Sequence, residues 1–307
     1  MVHTTSSFQM MDRRQFLNHA SLLTAAALLP TSGCSMSDQP QFKMGYQLFS
    51  VREDMAREPI DTLRKLTLMG YEDFEIYGFD ADANKIYGHS PTDFRKVLDD
   101  LNITTTSGHF GFHPFLDKPL AELDRYVDQC IDCAKALGMP YITWPWMAPE
   151  QRSLETFKRL PEMLNRIGER VSAAGLGFAY HNHDFEFVEY DGQTGYDIIL
   201  RETDPNLVKL QIDMYWVMHS AKQTPKELIA SQPGRFVMWH IKDMHKLSRD
   251  YTELGNGSIN YVEVLPDPTL SGLEYYYLEQ GGNYTHNAMQ SAKDSADFFK
   301  EQLQRFL

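Results

Sequence analysis

The sequence predicts an α/β fold, a closed (β/α)8 TIM barrel in a single domain. From Lys43 onward, eight short apolar segments alternate with amphipathic helical segments. Residues 38–307 make up 270 residues, close to the ~250 typical of such a barrel. The turn at residues 49–54 contains no glycine, whereas an open dinucleotide-binding sheet requires a glycine-rich turn after its first strand. The closed barrel is therefore favoured over a doubly wound sheet.

The predicted strands are short and apolar, as expected for strands covered by helices on one face. They span residues 44–49, 73–77, 103–107, 141–144, 177–183, 208–213, 236–241 and 274–279.

The segments between these strands carry apolar residues at i, i+3, i+4 and i+7, so that each helix covers one apolar face. The clearest predicted helices span residues 59–68, 91–101, 120–137 and 154–173. Gly70, Gly138 and Gly175 follow three of them, where a left-handed helix end is expected.

Residues 1–37 differ from the rest and are predicted to be an export signal and a polar tether. Arg13 and Arg14 precede Phe16 and Leu17, and an apolar run follows at residues 22–29 that is too short to span a bilayer. Paired arginines in this position resemble a twin-arginine signal. The expected location is therefore the periplasm.

Cys34 leaves two forms of processing open. It follows the small residues Thr31, Ser32 and Gly33, as a lipid-modified cysteine does in a lipoprotein processing box. One alternative is a lipid anchor at Cys34, with the protein attached to the membrane. The other is simple cleavage and release.

Composition excludes several classes of protein. There are 29 basic and 42 acidic residues, a net charge of −13, and no Lys/Arg run is longer than two, so a nucleic-acid partner is not expected. Three cysteines are too few for a disulfide scaffold. Cys130 and Cys133 share one face of a predicted helix and are interpreted as core residues rather than a redox pair. A homo-oligomer remains open.

Ionisable residues gather at the predicted ends of the strands, where the active site of such a barrel lies. A histidine, an aspartate, a histidine and a glutamate, on four successive strands, converge on one point. Imidazole and carboxylate ligands together suit a divalent ion such as Mn²⁺, Co²⁺ or Zn²⁺. The predicted metal ligands are His181, Asp213, His240 and Glu279. His183 shares a strand face with His181, so either can bind the metal while the other contacts substrate.

Six segments resemble those of the xylose isomerase-like barrel proteins, the sugar phosphate isomerases and epimerases. The resemblance covers essentially the whole of residues 38–307. The segments are Met44-Gly45-Tyr46-Gln47-Leu48-Phe49-Ser50-Val51-Arg52, Tyr180-His181-Asn182-His183-Asp184-Phe185-Glu186-Phe187, Leu210-Gln211-Ile212-Asp213-Met214-Tyr215-Trp216, His240-Ile241-Lys242-Asp243, Glu253-Leu254-Gly255-Asn256-Gly257-Ser258-Ile259 and Tyr277-Leu278-Glu279-Gln280.

The resemblance implies one divalent metal (Mn, Co, Zn or Mg) held by residues from strands five to eight. Ketose epimerases of this family have a glutamate as the strand-five ligand, whereas this chain has His181 at the matching position. A histidine there is similar to the branch of inosose dehydratases and keto-sugar lyases. The resemblance therefore leaves epimerisation and elimination as alternatives.

The expected activity is that of a sugar isomerase or epimerase, which removes a proton next to a carbonyl and forms a metal-stabilised ene-diolate. Glu279 is expected to be a metal ligand and a proton-transfer group. The remaining expected roles fall into two sets: His183, Glu186 and Lys242 in catalysis, and Glu75, His109 and Trp144 in binding a sugar substrate.

Three other functions are weighed against this one. Elimination from a keto-sugar, keto-glycoside or inosose would use the same proton abstraction and then expel a leaving group. A metal-dependent hydrolase is disfavoured, because the endonuclease on this barrel needs a DNA-binding surface and the net charge here is −13. A sugar-binding protein without catalysis would need the barrel but no metal.

Overall fold

The computed structural model describes residues 42–307, which fall in one compact unit, Pro40–Leu307. The predicted twin-arginine segment, the processing site at Cys34 and the tether lie outside the described residues. None of the helices in the described part is both long and apolar enough to cross a membrane.

Eight parallel strands close into a barrel in which each strand pairs with its neighbours in the chain, and β8 pairs with β1. This confirms the predicted (β/α)8 barrel. The strands are β1 (Gly45–Gln47), β2 (Asp73–Tyr77), β3 (Thr104–His109), β4 (Tyr141–Trp144), β5 (Gly177–His181), β6 (Lys209–Asp213), β7 (Met238–Ile241) and β8 (Tyr275–Leu278).

The α-helices lie in the connections between the strands and after β8. Gly70, Gly138 and Gly175 follow helices with positive φ angles of 99°, 73° and 81°, as the sequence predicts. The helices are α1 (Arg52–Arg57), α2 (Pro59–Leu68), α3 (Pro91–Asp100), α4 (Leu120–Leu137), α5 (Leu154–Ala173), α6 (Gly195–Glu202), α7 (Met214–Ser220), α8 (Pro225–Ser231), α9 (Tyr261–Val264), α10 (Pro268–Ser271) and α11 (Ala288–Phe298).

The apolar faces of the helices pack on the outside of the barrel. In α5, Phe157, Leu160 and Leu164 are fully buried, as their helical spacing predicts. Cys130 and Cys133 of α4 are free thiols in this core. Burial raises the pKa of the Cys133 thiol to about 12, so these cysteines are packing residues, as predicted.

Strand β5 is shorter than predicted, because it ends at His181 rather than at His183. The backbone N–H of His183 donates a 2.8 Å hydrogen bond to Oε2 of Glu186. This bond fixes a turn at 183–186 and takes that N–H out of the strand ladder. His183 therefore lies in the loop after the strand. The prediction that His181 and His183 share one strand face is wrong for this reason.

A polar cluster lies where strands β2 and β3 begin, at the end of the barrel opposite the histidines. Asp73 accepts a 2.7 Å hydrogen bond from Thr104 Oγ1 and a further bond from Thr106 Oγ1, which also contacts Tyr277. The Asp73 side chain is only 2% exposed. Burial raises its pKa to about 6.

Candidate active site

Glu75 lies at the centre of the polar floor formed by the strand ends. Its Oε2 is 2.6 Å from His240 Nε2 and 3.0 Å from His109 Nε2. The side chains of Gln47, Ser107 and Gln211 donate further bonds of 2.6 Å. Burial alone would raise the pKa of Glu75, but the two histidines hold it well below the usual range. Glu75 is therefore a fully hydrogen-bonded carboxylate that positions two imidazoles.

His240 uses both ring nitrogens in contacts with carboxylates. Its Nε2 faces Glu75, and its Nδ1 lies 2.5 Å from Oε2 of Glu279. Burial lowers its pKa, but the two carboxylates outweigh burial and raise it to about 9. These contacts favour the protonated ring, and through them His240 joins the floor of the barrel to the end of β8.

Lys242 follows β7 and lies between two carboxylates. Its Nζ is 2.6 Å from Asp213 Oδ2 and 2.8 Å from Glu279 Oε2. Burial would lower the lysine pKa, but Asp213 and Glu279 raise it above its ordinary value, so the ammonium stays protonated. The pKa values of the two carboxyl groups are pushed apart: burial raises that of Asp213, whereas Lys242 and His240 overcome burial and lower that of Glu279.

His181 and His183 provide two neutral imidazoles beside this cluster. Burial lowers the pKa of both well below the ordinary histidine value, and the nearby Lys242 and His240 lower it further. The Nδ1 atom of each ring is buried without a hydrogen-bond partner among the described residues. The ring centroids lie 4.8 Å apart. Both rings are therefore available to take a proton or to bind a ligand.

The donor set fits a divalent metal. Ligand atoms of Asp213, His240 and Glu279 lie within 4.8 Å of one another, and those of His109, His181 and His240 form a second such group. Asp213 Oδ2 has no hydrogen-bond partner of good geometry, and it is 3.7 Å from His181 Nε2. Two carboxylates with imidazole nitrogen suit Zn²⁺ or Mn²⁺. The ammonium of Lys242 lies against two of these oxygens.

A cavity of about 760 Å³ opens above this floor. Of the residues predicted for the site, His109, His181, His183, Lys242 and Glu279 line it. The other lining residues come mostly from the loops after the strands, and many of them are aromatic. The barrel thus brings a titratable floor and an aromatic rim together in one pocket at the end where such barrels bind ligands.

A profile of the xylose isomerase-like TIM barrel family matches residues 63–302. The chain belongs to the xylose isomerase-like TIM barrel family. No curated protein sequence matches it.

Solved structures of xylose isomerase-like barrels are similar over nearly the whole chain. A sugar phosphate isomerase/epimerase from Parabacteroides distasonis is 25% identical with a TM-score of 0.72, covering 90% of this chain and 99% of its own. The IolI protein with a binding zinc atom is 16% identical with a TM-score of 0.68, covering 87% and 99%. A probable 3-DHS dehydratase from Bacillus anthracis is 14% identical with a TM-score of 0.65, covering 85% and 100%.

Glu186, predicted here as a second acid/base, does not line the cavity of this xylose isomerase-like barrel. It is fully buried, accepts a 2.8 Å bond from the Tyr180 hydroxyl, and holds the backbone of His183. Burial raises its pKa to about 8. The structure therefore places Glu186 behind His183, as a group that positions the histidine loop.

Trp144 and Glu75 do not line the cavity either. Trp144 is fully buried, and its indole N–H donates a 2.9 Å bond to the carbonyl of Trp146. Trp146, two residues further on, lines the cavity instead. Trp144, expected to bind substrate, is instead packed in the core at the end of strand β4.

The sequence did not point to most of the aromatic residues that line the cavity. Trp216 and Tyr251 line the cavity, and their ring centroids are 5.9 Å apart. Trp216 follows the predicted ligand Asp213 by three residues, and this spacing was the one signal in the sequence that pointed to it. Tyr251 begins a two-residue strand, Tyr251–Thr252, that pairs antiparallel with Asp243–Met244 after β7, and no periodic pattern in the sequence marks it.

Asp243 fixes the loop that follows β7. Its side chain accepts bonds from the backbone N–H groups of Gly255 (2.9 Å), Gly257 (3.0 Å) and Ile259 (3.2 Å), and from Met244 (2.8 Å). A carboxylate that is hydrogen-bonded to four backbone groups holds its loop firmly. This explains why Asp243 directly follows Lys242 in the motif.

Proposed function

We propose that the protein is a sugar isomerase or epimerase that removes a proton from the carbon next to a carbonyl group of an uncharged sugar. One observation carries the proposal. The cavity floor combines neutral imidazoles, His181 and His183, with a protonated Lys242 and an ionised Glu279. A neutral imidazole and a charged hydrogen-bond donor in one pocket suit removal of a proton from a carbon whose neighbouring carbonyl gains negative charge.

His183 is the proposed base. Burial keeps its ring neutral, and its turn is held by Glu186, which itself is anchored by Tyr180. The ring can therefore accept a proton from substrate without first losing one. Glu279, whose carboxylate is kept ionised, is the second group able to exchange a proton with the neighbouring carbon.

Lys242 and His109 are proposed to bind the substrate oxygens. The Lys242 ammonium offers hydrogen-bond donors to a carbonyl that gains negative charge when the neighbouring proton leaves. His109 lines the cavity, and its Nε2 is held by Gln211 (2.8 Å) and Glu75 (3.0 Å).

A divalent cation fits the same floor. Asp213, His240 and Glu279 would hold it, with His181 as a further ligand. When bound, it would supply Lewis acidity toward the carbonyl and an adjacent hydroxyl. The residues of the chain position the sugar, exclude water and move the proton.

The cavity favours an uncharged sugar over a sugar phosphate. Arg152 and Lys242 are the lysine and arginine residues in its lining. Lys242 is paired with two carboxylates, and Arg152 donates twice to the carbonyl of Met147 while covering the ring of Phe185 at 4.1 Å. Asp184 adds an acidic side chain to the lining. Both cations among the described lining residues therefore already have partners, which disfavours a phosphate group.

Elimination from a keto-sugar, keto-glycoside or inosose is the second candidate. It is supported by the histidine at the end of β5 and by the protonated Lys242, because an elimination needs one base for the carbon-bound proton and one acid for the leaving oxygen. Epimerisation needs a group on each face of the carbon, whereas isomerisation and elimination can proceed from one face.

NMR in D₂O tests the proposal on the metal-loaded protein with a panel of free and oxidised (keto) sugars. We expect deuterium at the carbon next to the carbonyl, and an enone absorbance in addition if elimination follows. His183→Gln should abolish exchange, while His286→Gln, on an exposed residue, should leave it unchanged. Binding of these sugars without any exchange would contradict the proposal.

We also propose that residues 1–37 direct the protein to the periplasm through a twin-arginine signal. Replacing Arg13 and Arg14 together by lysine should retain the protein in the cytoplasm in cell fractionation. Mass spectrometry of the exported chain then distinguishes an acylated Cys34 from simple cleavage. Export that persists in the double lysine variant would contradict the twin-arginine route.

A further inference from the structure

We infer that the rim of the cavity is a second binding subsite, which takes the second ring of an uncharged glycoside through its apolar face. The inference rests on the proposed function in one respect, since it places the reacting sugar over the floor. The rim itself is defined by six aromatic side chains that lie at the strand ends or in the segments that follow them: Phe49, Tyr77, Phe79, Trp146, Trp216 and Tyr251.

Size is the first argument. A hexose displaces about six water molecules at ~30 Å³ each, or roughly 200 Å³. The cavity measures about 760 Å³, so one sugar ring on the floor leaves more than half of the space empty. A pocket of this size is ordinary for a ligand with two or more rings.

The chemistry of the rim is the second argument. The floor offers imidazole, ammonium and carboxylate groups, whereas the rim offers mainly aromatic rings. Phe49 is 41% exposed even though it is a large apolar side chain. It makes an edge contact with Tyr77 at 5.3 Å, so the two rings form a fixed corner with an open apolar face.

An unpartnered donor is the third argument. The indole Nε1 of Trp216 is buried and has no hydrogen-bond partner among the described residues, although Trp216 lines the cavity. Its ring lies 5.7 Å from that of His183, at the boundary between floor and rim. A buried N–H without a partner is costly, and a sugar hydroxyl at this boundary would satisfy it.

Charge restricts the ligand to uncharged rings. The rim cation Arg152 is already committed to a backbone carbonyl and to two aromatic rings, Phe185 at 4.1 Å and Trp146 at 5.3 Å. Burial lowers the pKa of His113, which also lines the rim. Stacking on aromatic faces therefore remains as the main source of affinity, and both a second pyranose and an aryl group present a suitable face.

Binding measurements on the full-length chain test the subsite without requiring turnover. The probes share one hexose: its methyl glycoside, a disaccharide, an aryl glycoside and the hexose phosphate, each titrated by calorimetry. We expect the disaccharide or the aryl glycoside to bind at least tenfold more tightly than the methyl glycoside. A gain for the disaccharide identifies a sugar ring as the ligand, and a gain for the aryl glycoside alone identifies an aromatic one.

Substitutions in the rim show which residues produce the tenfold gain in affinity for the two-ring probes. Phe49→Ala and Trp146→Ala should remove the tenfold advantage and leave the affinity for the methyl glycoside unchanged. Trp146→Phe, which keeps an aromatic ring, should retain most of the advantage. Phe306→Ala is the matched control, because Phe306 is also 41% exposed and also carries an arginine over its ring, at 5.0 Å compared with 4.8 Å for Phe49.

Three results would overturn the inference: equal affinity for one-ring and two-ring probes, an equal loss for both in the rim variants, or tightest binding of the phosphate. Failure of the proposed function would be visible separately, as a two-ring probe that binds with the expected advantage but shows no deuterium exchange.

Discussion

The ammonium nitrogen of Lys242 lies 2.6 Å from Oδ2 of Asp213, and the same nitrogen is 2.8 Å from Oε2 of Glu279. These two oxygens, with a nitrogen of His240, form the group that fits a divalent cation. The chain therefore carries its own cation against two ligand atoms of the candidate metal site. A metal ion that binds there must compete with this ammonium or displace it.

Replacing Lys242 by methionine should strengthen metal binding. The change keeps a long side chain but removes a positive charge that repels the ion and occupies its ligands. We expect the dissociation constant of Mn²⁺, measured by calorimetry on the full chain, to fall at least tenfold. Lys293→Met is the control, since Lys293 pairs with Asp297 on the exposed surface. Weaker binding in Lys242→Met would show that the ammonium supports the metal site instead of competing with it.

Glu75→Gln should reduce turnover while leaving the barrel folded. The carboxylate accepts bonds from Gln47, Ser107 and Gln211 and faces two imidazoles. An amide has the same shape, but its NH₂ group would face donors, at a cost of about 1–3 kcal/mol. Loss of the charge should also lower the pKa of His240 from about 9.

The measurements for Glu75→Gln are kcat, metal affinity and an NMR titration of His240 in the metal-free protein. Loss of such an outer hydrogen-bond partner typically reduces metal affinity or activity about 10–100-fold. Glu274→Gln is the control, because Glu274 is exposed and bonds to Tyr141 before β8 begins. An unchanged His240 titration would contradict the role assigned to Glu75.

Asp73 should make the protein less stable as the pH rises from about 4 to 6. Burial raises its pKa from 3.8 to about 6, partly offset by Thr104, Thr106 and Lys43. Between these values the folded state holds a proton that the unfolded state has lost, so the free energy of unfolding falls with rising pH. A rise of this size corresponds to about 3 kcal/mol.

Denaturant unfolding of Asp73→Asn from pH 4 to pH 7 measures this contribution. The amide can still accept a hydrogen bond from one threonine, and it carries no charge at any pH. We expect the variant to lose the part of the slope between pH 4 and pH 6 that comes from Asp73, and to gain stability relative to the parent as the pH rises through this range. An identical slope in both proteins would assign the pH dependence to other groups, such as Glu186, whose pKa burial raises to about 8.

The barrel could be predicted from the sequence because its elements are local and periodic. The predicted bounds of the helices 59–68, 120–137 and 154–173 agree with those of α2, α4 and α5. The positions of Asp213 and His240 followed from the rule that strand ends meet at one end of the barrel. Five of the predicted site residues line the cavity for the same reason.

The remaining site features depend on side-chain contacts that no periodicity encodes. Trp144 and Trp146 are both next to a strand end, and only the direction of each ring decides which one reaches the cavity. Glu186 follows the histidines closely, but its bond to the His183 N–H turns it away from the cavity. The ion pair that Lys242 makes with Asp213 joins two different strand ends, and the sequence gives no sign of it.

Gly257→Ala should destabilise the protein by disturbing the loop anchored on Asp243. A Cβ atom at this position would lie 2.0 Å from Oδ1 of Asp243 and 2.6 Å from the carbonyl of Met244. The loop would have to move, weakening the bonds from Gly255, Gly257 and Ile259 to the Asp243 carboxylate. Overpacking of this kind costs about 1–3 kcal/mol, measured by the free energy of unfolding in denaturant.

Gly282→Ala is the matched control, because its Cβ would meet nothing within 4 Å, and its effect should stay within about 0.5 kcal/mol. Equal stability of the two variants would show that the loop can shift without loss, and that the carboxylate of Asp243 does not hold it.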